Sequence, residues 1–536
     1  MYDWEARNRE IEARPIPEVV PDVLARAARL WPDRPAFNFF DQGESRTFQE
    51  LRTEVRRLAH GLQNVGVRHG DHVTVMLPNR IEYPIVWLAL AELGAVMVPI
   101  VLASTPREID YFLRDSESRF LVVEPGELQS RDLSPGCDPL PPADRVIYVG
   151  ATDRSTPGHH YEDLIAGGDV AFAPLQPPRR DDLLNIQYTS GTTGLPKGAM
   201  LPHRFWITSA HATAGVYPQW SEGPALSDAP YYYIDAQGFT IKALFAGNRV
   251  DFAPRPSIRK FVDWLYTHKT SVAWLTEQVL DFPPRPEERA AGVKLFLGYH
   301  QSVDVIRKAK ERFGAPTCEL YGATEFGAAI AVPPDVDDEA ILGTCGVPMP
   351  FRRFRIVRAD GSEAGVGEPG ELWVSGDGLL RGYWNRPDAN AAYHADGWFR
   401  TGDVFICDAN GYYSIVGRLK DMIRRSGENI SAIEVEQVLK DMPGVLDAAV
   451  VAVPDPDREE EVKAYILPTP GAVRPPVEAI LQHCRDRLAP FKVPRYLAYV
   501  DAFPYTPSEK VAKKQLTAGV EDLRAGAWDA REGVQR

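Results

Sequence analysis

Apolar residues fall on one helical stripe after Thr47, at Leu51, Val55, Leu58 and Leu62. Thr47-Phe-Gln-Glu50 opens this run as a capping box, in which a hydroxyl and a carboxylate each satisfy a free backbone N–H. The pattern predicts a helix from Thr47, closed by the glycines at 66 and 70, and then a strand over 72–77. From Pro84 to Ser104 almost every residue is apolar, yet Glu92 and Pro99 interrupt the run. This predicts a buried helix over 85–93 and a buried strand within 95–101, not a membrane span. Helix and strand alternate as in a mainly parallel sheet.

Residues 125–180 are rich in Pro, Gly, Asp and Arg and predict a long irregular connection, and prolines at 254, 256, 283, 284 and 286 mark further loops. Short strands are expected at 371–376 and 411–416. After Arg418 the pattern restarts as a compact α+β unit: a helix at 432–440, strands at 448–453 and 463–467, a helix at 477–488, and a frayed C-terminus. Gly365-Val-Gly-Glu-Pro-Gly370 matches GxGxxG but precedes a strand, the reverse of the dinucleotide-binding context. The expected fold class is α/β, a large N-terminal region of several subdomains with mainly parallel sheets plus a small α+β C-terminal domain.

A chain of 536 residues exceeds one ordinary core. Its net charge of −14 argues against nucleic acid as the main partner and obliges any anionic ligand to find local positive charge. Five scattered cysteines with no CxxC pair fit a reducing compartment and speak against a disulfide framework or zinc site. The first twenty residues are charged and lack an apolar signal core, so a cytoplasmic protein is expected.

The densest chemistry is Tyr188-Thr-Ser-Gly-Thr-Thr-Gly-Leu-Pro-Lys-Gly-Ala-Met200. Thr189, Ser190, Thr192 and Thr193 offer hydroxyls, Gly191 and Gly194 let backbone N–H groups approach a ligand, and Lys197 adds a compact positive charge. Such a loop suits a polyphosphate, although its spacing is not that of Walker A.

This loop resembles the phosphate-binding signature of the adenylate-forming superfamily, and the superfamily's other motifs follow in order along nearly the whole chain. Tyr321-Gly-Ala-Thr-Glu325 looks like its next motif. The resemblance implies that Tyr321 and Gly322 meet adenine, Thr324 the α-phosphate, and Glu325 a Mg²⁺ ion. Gly397-Trp-Phe-Arg-Thr-Gly-Asp403 resembles the ribose-binding motif, with Asp403 on the two hydroxyls, and Gly417-Arg-Leu-Lys-Asp421 resembles the hinge motif. Arg418 would then reach the nucleotide and Lys420 would be the pivot, which divides the chain into an AMP-binding domain (1–417), a hinge (418–420) and a mobile domain (421–536). Gly427 would approach the pantetheine arm of coenzyme A. Lys510, in Thr506-Pro-Ser-Glu-Lys510, would be the catalytic lysine, although Glu509 stands where relatives have Gly. Catalysis would rest on Lys510, Thr192, Glu325 and Lys197, with ATP, Mg²⁺ and coenzyme A as cofactors.

The segment Pro230-Tyr-Tyr-Tyr-Ile-Asp-Ala-Gln237 resembles the wall of the superfamily's acyl pocket, nearest to the carnitine/crotonobetaine branch. Tyr233, Asp235, Gly298, Tyr299 and Ala323 are the expected pocket residues, with His300 beside them. Bulky Tyr299 and His300 suggest a short or restricted acid, and Asp235 could face a cationic tail. The expected activity is an acid:CoA ligase passing through an acyl-adenylate. Transfer to a carrier protein and a non-catalytic member of the fold stay open as alternatives. The expected partners are a small carboxylic acid and coenzyme A, with a homodimer allowed.

Overall fold

A computed structural model describes residues 3–134, 138, 140–151, 156–189, 196–299, 301–336, 338–426, 428–505 and 511–536. It divides into two compact units, Met1–Phe354 with Val374–Phe399, and Arg355–Trp373 with Arg400–Arg536.

The first unit holds two mainly parallel sheets. One has seven strands in the order His159–His160, Val146–Tyr148, Phe120–Val123, His72–Met76, Val96–Pro99, Leu183–Thr189 and Lys197–Pro202. The other has nine, with Ala225–Ser227, Val272–Trp274, Leu295–Gly298 and Thr317–Ala323 adjacent near its centre. The capping box forms as expected: Glu50 N donates to Thr47 Oγ1 at 3.2 Å and Thr47 N to Glu50 Oε2 at 2.8 Å, opening the helix Phe48–Asn64. The apolar run folds as the helix Glu82–Leu93 and the strand Val96–Pro99. The helix starts earlier than expected because Pro84 falls in its first turn, where a missing N–H costs nothing. Gly94 ends it in the left-handed region at φ 65°, where a Cβ would also strike the His69 ring. No helix among the described residues is long and apolar enough to cross a membrane.

Two expectations need correction. The stretch 125–180 is not simply irregular: Val146–Tyr148 adds a parallel strand beside Phe120–Val123, and short helices form at Pro125–Gln129 and Tyr161–Ala166. A three-residue strand suffices where a sheet edge already waits for it. The C-terminus is not frayed either. Trp528–Asp529 pairs with Tyr496–Tyr499, and the buried Asp529 carboxylate is held by Arg495 at 3.2 Å and Arg536 at 2.8 Å.

The second unit is built on the long antiparallel pair Val445–Asp455 and Glu459–Pro468. Helices Ala432–Lys440 and Val477–Arg485 bury Val435, Leu439, Ile480 and Leu481 against Val450, Val462 and Ile466.

A hydrogen-bond relay in the first unit ties the helix Ile234–Ala246 to the strand Leu183–Thr189 and the helix Glu82–Leu93. Trp87 Nε1 donates to Asn185 Oδ1 at 3.0 Å, Asn185 Nδ2 to Gln237 Oε1 at 3.2 Å, and Gln237 Nε2 to Tyr231 O at 3.0 Å. All four side chains are buried, so each polar group is satisfied by another rather than by water.

Candidate active site

The strand Leu183–Thr189 runs out at Thr189, which pairs antiparallel with Lys197 as the chain returns. Carboxyl ends of parallel strands are where open α/β sheets place their ligands. Ser190, Gly191, Thr192, Thr193 and Gly194 lie outside the described residues, as do His300, Gly427 and Lys510. The two flanks of the loop are well defined. Thr189 Oγ1 donates to Lys197 O at 3.4 Å. Gly198 can be nothing larger, because a Cβ would lie 2.5 Å from Ile186 Cγ2.

Residues 381–384 lie alongside this hairpin. Met200 N donates to Gly382 O at 2.9 Å and Trp384 N to Gly198 O at 2.8 Å. The pairing carries Tyr383 to Lys197, whose Nζ stands 5.2 Å from the Tyr383 ring centre and 4.7 Å from that of Tyr393. Such contacts are worth about 0.5–2 kcal/mol each. They hold the ammonium in place without neutralising it. The Tyr383 hydroxyl donates to Glu325 Oε1 at 2.7 Å. Burial, and then the neighbouring Glu325 charge, push the Tyr383 phenol far up, so it stays a donor.

Glu325 sits in the turn between Thr317–Ala323 and Gly327–Ala331. Gly322 allows that turn to close, since a Cβ would lie 2.5 Å from Gly327 O. Tyr321 is buried against Phe326, while Ala323, Thr324 and Glu325 are partly exposed. The structure therefore brings Thr189, Lys197, Thr324 and Glu325 to one edge of the first unit. A second network anchors the return strand. Tyr188 Oη donates to Asp115 Oδ2 at 2.7 Å, Arg386 bridges Asp115 and Tyr111, and Tyr111 Oη donates to Pro196 O at 2.6 Å.

Of the expected acyl-pocket residues, Asp235 and Tyr299 meet. Gln187 Nε2 donates to Tyr232 O at 2.7 Å, tying the segment before the helix Ile234–Ala246 to the strand that ends at Thr189. Tyr233 is the N-cap residue of that helix, and Asp235 follows within its first turn, so Asp235 is not the cap. Tyr299 follows Gly298 at a strand end, stacks on Trp274 with ring centres 4.4 Å apart and 23° between planes, and interacts through its hydroxyl with Asp235. Burial raises the Asp235 carboxyl, with Lys242 pulling the other way.

In the second unit Asp403 faces Arg418 across the hairpin of Trp398–Cys407 and Tyr413–Arg418, with Nε 2.9 Å from Oδ1. Asp403 is buried and Arg418 half-exposed, so the arginine lies on the solvent side of the carboxylate. Lys420 follows in the short turn Leu419–Asp421.

Sequence reasoning missed Tyr383, Tyr393, Arg386 and Lys242. For the first three the local signal was the aromatic and basic cluster 383–393, which lies far in sequence from the loop it supports.

The sequence model of the AMP-binding enzyme family matches residues 24–384, and that of the AMP-binding enzyme C-terminal domain matches 434–510. The chain is 32% identical to a feruloyl-CoA synthase of Amycolatopsis sp, over 92% of this chain and 97% of that protein. It is equally similar, at 32%, to a sulfoacetate–CoA ligase of Cupriavidus necator, over 94% and 99%. A long-chain-fatty-acid–CoA ligase of Yersinia pestis is 30% identical over 95% of both chains. Among solved structures, ATP-bound MatB from Rhodopseudomonas palustris superposes with a TM-score of 0.81 at 26% identity, covering 94% of this chain and 99% of that one. The o-succinylbenzoate CoA synthetase of Bacillus subtilis in complex with ATP and magnesium gives 0.77 at 26%, covering 92% and 99%.

Proposed function

The chain belongs to the AMP-binding enzyme family and is an AMP-forming carboxylic acid:CoA ligase, and we propose that its acid is a small or sterically restricted one. The observation that carries this reading is the pair of sites in the first unit. A charged cluster of Lys197, Tyr383 and Glu325 is accompanied by the stacked rings of Trp274 and Tyr299, the latter bonded to Asp235. Relatives named for three unlike acids match about equally well, so similarity alone does not choose the substrate.

The reaction has two halves. A substrate carboxylate oxygen attacks the α-phosphorus of ATP in line, forming the acyl-adenylate and releasing pyrophosphate. The thiol of coenzyme A then attacks the acyl carbonyl, and AMP leaves. Phosphoryl chemistry of this kind asks the protein for positioning and charge stabilisation rather than covalent work. Thr189, Ser190, Gly191, Thr192, Thr193 and Gly194 are assigned to the phosphates, with Lys197 countering their charge. Tyr321 and Gly322 are assigned to adenine, Thr324 to the α-phosphate, and Asp403 with Arg418 to the ribose.

Glu325 fits a magnesium ion. It is a hard oxygen donor, partly open to solvent, with one oxygen anchored by Tyr383. Magnesium is commonly held by one or two carboxylates together with substrate phosphates. When bound it neutralises phosphate charge. Lys510 is assigned to the first half-reaction and Gly427 to the second, with a pivot of residues 421–536 about Lys420 exchanging them. A cytoplasmic homodimer completes the proposal.

Taken alone, Asp235 beside aromatic faces supports a carnitine-like cationic tail. Enzyme, MgATP and coenzyme A are to be mixed with short, aromatic, long-chain and betaine-like acids, and AMP and thioester measured. Coenzyme A-dependent AMP release with a short or aromatic acid is expected. Release only with long-chain acids would refute the restricted pocket. AMP without thioester would point to a carrier-protein acceptor, and no AMP with any acid to a non-catalytic protein.

A further inference from the structure

Lys242 sits two helical turns beyond Asp235. The residues of the helix Ile234–Ala246 that keep water-accessible surface before its last turn are Ile234, Asp235, Gly238 and Lys242, while Ala236, Gln237, Phe239, Thr240 and Ile241 are buried. Asp235, Gly238 and Lys242 lie on one stripe, since residues three, four and seven apart share a helix face. Long helical side chains lean toward the N-terminus, and Lys242 does so: its Nζ lies 3.6 Å from where a Gly238 Cβ would be. The ammonium therefore lies over Gly238, at a distance that is ordinary van der Waals contact for a Cβ there. The ammonium stands 5.6 Å from the ring centres of both Trp220 and Phe239. Among the described residues it has no hydrogen-bond acceptor and no contact ion pair, and Asp235 acts on it only through space.

The stripe adjoins the aromatic pair of Tyr299 and Trp274, since the Tyr299 hydroxyl bonds Asp235 and the Tyr299 ring stacks on Trp274. Tyr299 remains 47% exposed. Yet burial raises both its phenol and the Asp235 carboxyl, and lowers the Lys242 ammonium to about 8. Asp235 already has the Tyr299 hydroxyl. Lys242 holds three N–H donors on a partly desolvated charge, and the described residues offer them two ring faces but no hydrogen-bond acceptor, an arrangement that an incoming acceptor would relieve.

We propose that Lys242 is a specificity residue for the acyl substrate, and that the substrate is a short acid carrying a second anionic group, a carboxylate or sulfonate, at the end remote from the reacting carboxyl. The proposal rests on the ligase reading above and reverses the sign that Asp235 alone would select. A remote anion would satisfy Lys242, with Trp274 and Tyr299 packing on the intervening carbons.

The test is acid-dependent pyrophosphate exchange on the full-length enzyme, with glutarate, 3-sulfopropionate, pentanoate and 4-trimethylammoniobutyrate. Glutarate or sulfopropionate is expected to exceed pentanoate in kcat/KM by roughly 10- to 100-fold, the effect of a hydrogen bond to a charged group. That ratio should fall toward unity in Lys242→Met and survive in Lys242→Arg. Because the ratio is taken within one preparation, partial misfolding does not imitate the result. Preference for pentanoate or the betaine in the wild type, or a ratio unmoved in Lys242→Met, would overturn the proposal while leaving the ligase reading intact. Exchange with none of these acids, yet with an aromatic or long-chain one, would also overturn it alone. Exchange with no acid of any kind would take down both.

Discussion

The edge assigned to the phosphates and the aromatic cluster assigned to the acyl group lie in the same unit but hold their charges differently. At the edge the recognised charges already have protein partners. Glu325 accepts from Tyr383, and Lys197 lies over two tyrosine rings. In the second region Asp235 likewise has the Tyr299 hydroxyl and Lys242 stands 5.6 Å from two ring centres, but carboxylate and lysine share one helix stripe there and burial lowers the ammonium. An edge that every substrate of the reaction must use can be set in advance. A cluster that distinguishes one acid from another leaves its last bond for the ligand to make. Substitutions at the edge should therefore lower activity toward every acid by a common factor, and substitutions in the cluster should reorder the acids.

The largest expected effect lies outside both regions. Lys510→Ala should cut acyl-adenylate formation by roughly 10²–10³-fold, the scale seen when one charge-stabilising donor is removed. Thioester formation from a supplied acyl-adenylate should stay within a few-fold of wild type. Rapid-quench measurement of each half-reaction separates the two, and equal loss of both would sink the domain-pivot assignment.

Next is Lys197→Ala. Loss of a charge-assisted contact to phosphate should lower kcat/KM for ATP by about 10- to 100-fold, and by the same factor whichever acid is used. If the factor varies between acids, the two regions are not energetically separate and the comparison breaks. Tyr383→Phe is the gentler version. It removes one neutral donor from a carboxylate and should cost about 1–2 kcal/mol, read as a raised magnesium requirement. An unchanged magnesium dependence would mean that Glu325 needs no orienting partner.

The two regions also differ in how far the sequence discloses them. Thr47 and Glu50, or the helix Ala432–Lys440, are legible because caps and periodicity are local properties of a few neighbouring residues. The loop from Thr189 to Lys197 is legible because many hydroxyls and glycines in one place have few other uses. Tyr383 is not, because it reaches Lys197 by pairing segments far apart in the chain, which composition does not encode. The strand Val146–Tyr148 was hidden by the proline-rich stretches around it. Lys242 was within reach: a single lysine on a largely apolar helix, with Gly238 and Asp235 on its own face, is a pattern with a physical cost and so with a reason.

The smallest effect is also the most diagnostic, because it pulls function and stability in opposite directions. The Lys242 ammonium is lowered to about 8 in the folded chain from an ordinary value of 10.5. Burial is the main cause, partly offset by Asp235, whose carboxylate also meets Tyr299, and Glu319 in turn acts on that phenol. Between those two values the unfolded chain binds a proton that the folded chain has shed. Stability contributed through Lys242 must therefore rise with pH across that window and be absent below it. Selectivity runs the other way. Above about 8 the free enzyme loses the cation that would meet a remote anion. The glutarate-to-pentanoate ratio in kcat/KM, which reports the free enzyme, should fall as pH rises through that value. Other groups titrate at high pH, so each trend is read as the difference between wild type and Lys242→Met, by urea unfolding for stability and by pyrophosphate exchange for selectivity. If the stability difference rises while selectivity stays flat, Lys242 is desolvated but does not meet the substrate. If selectivity falls with no rise in stability, its charge is used in binding without the cost of burial assigned to it here.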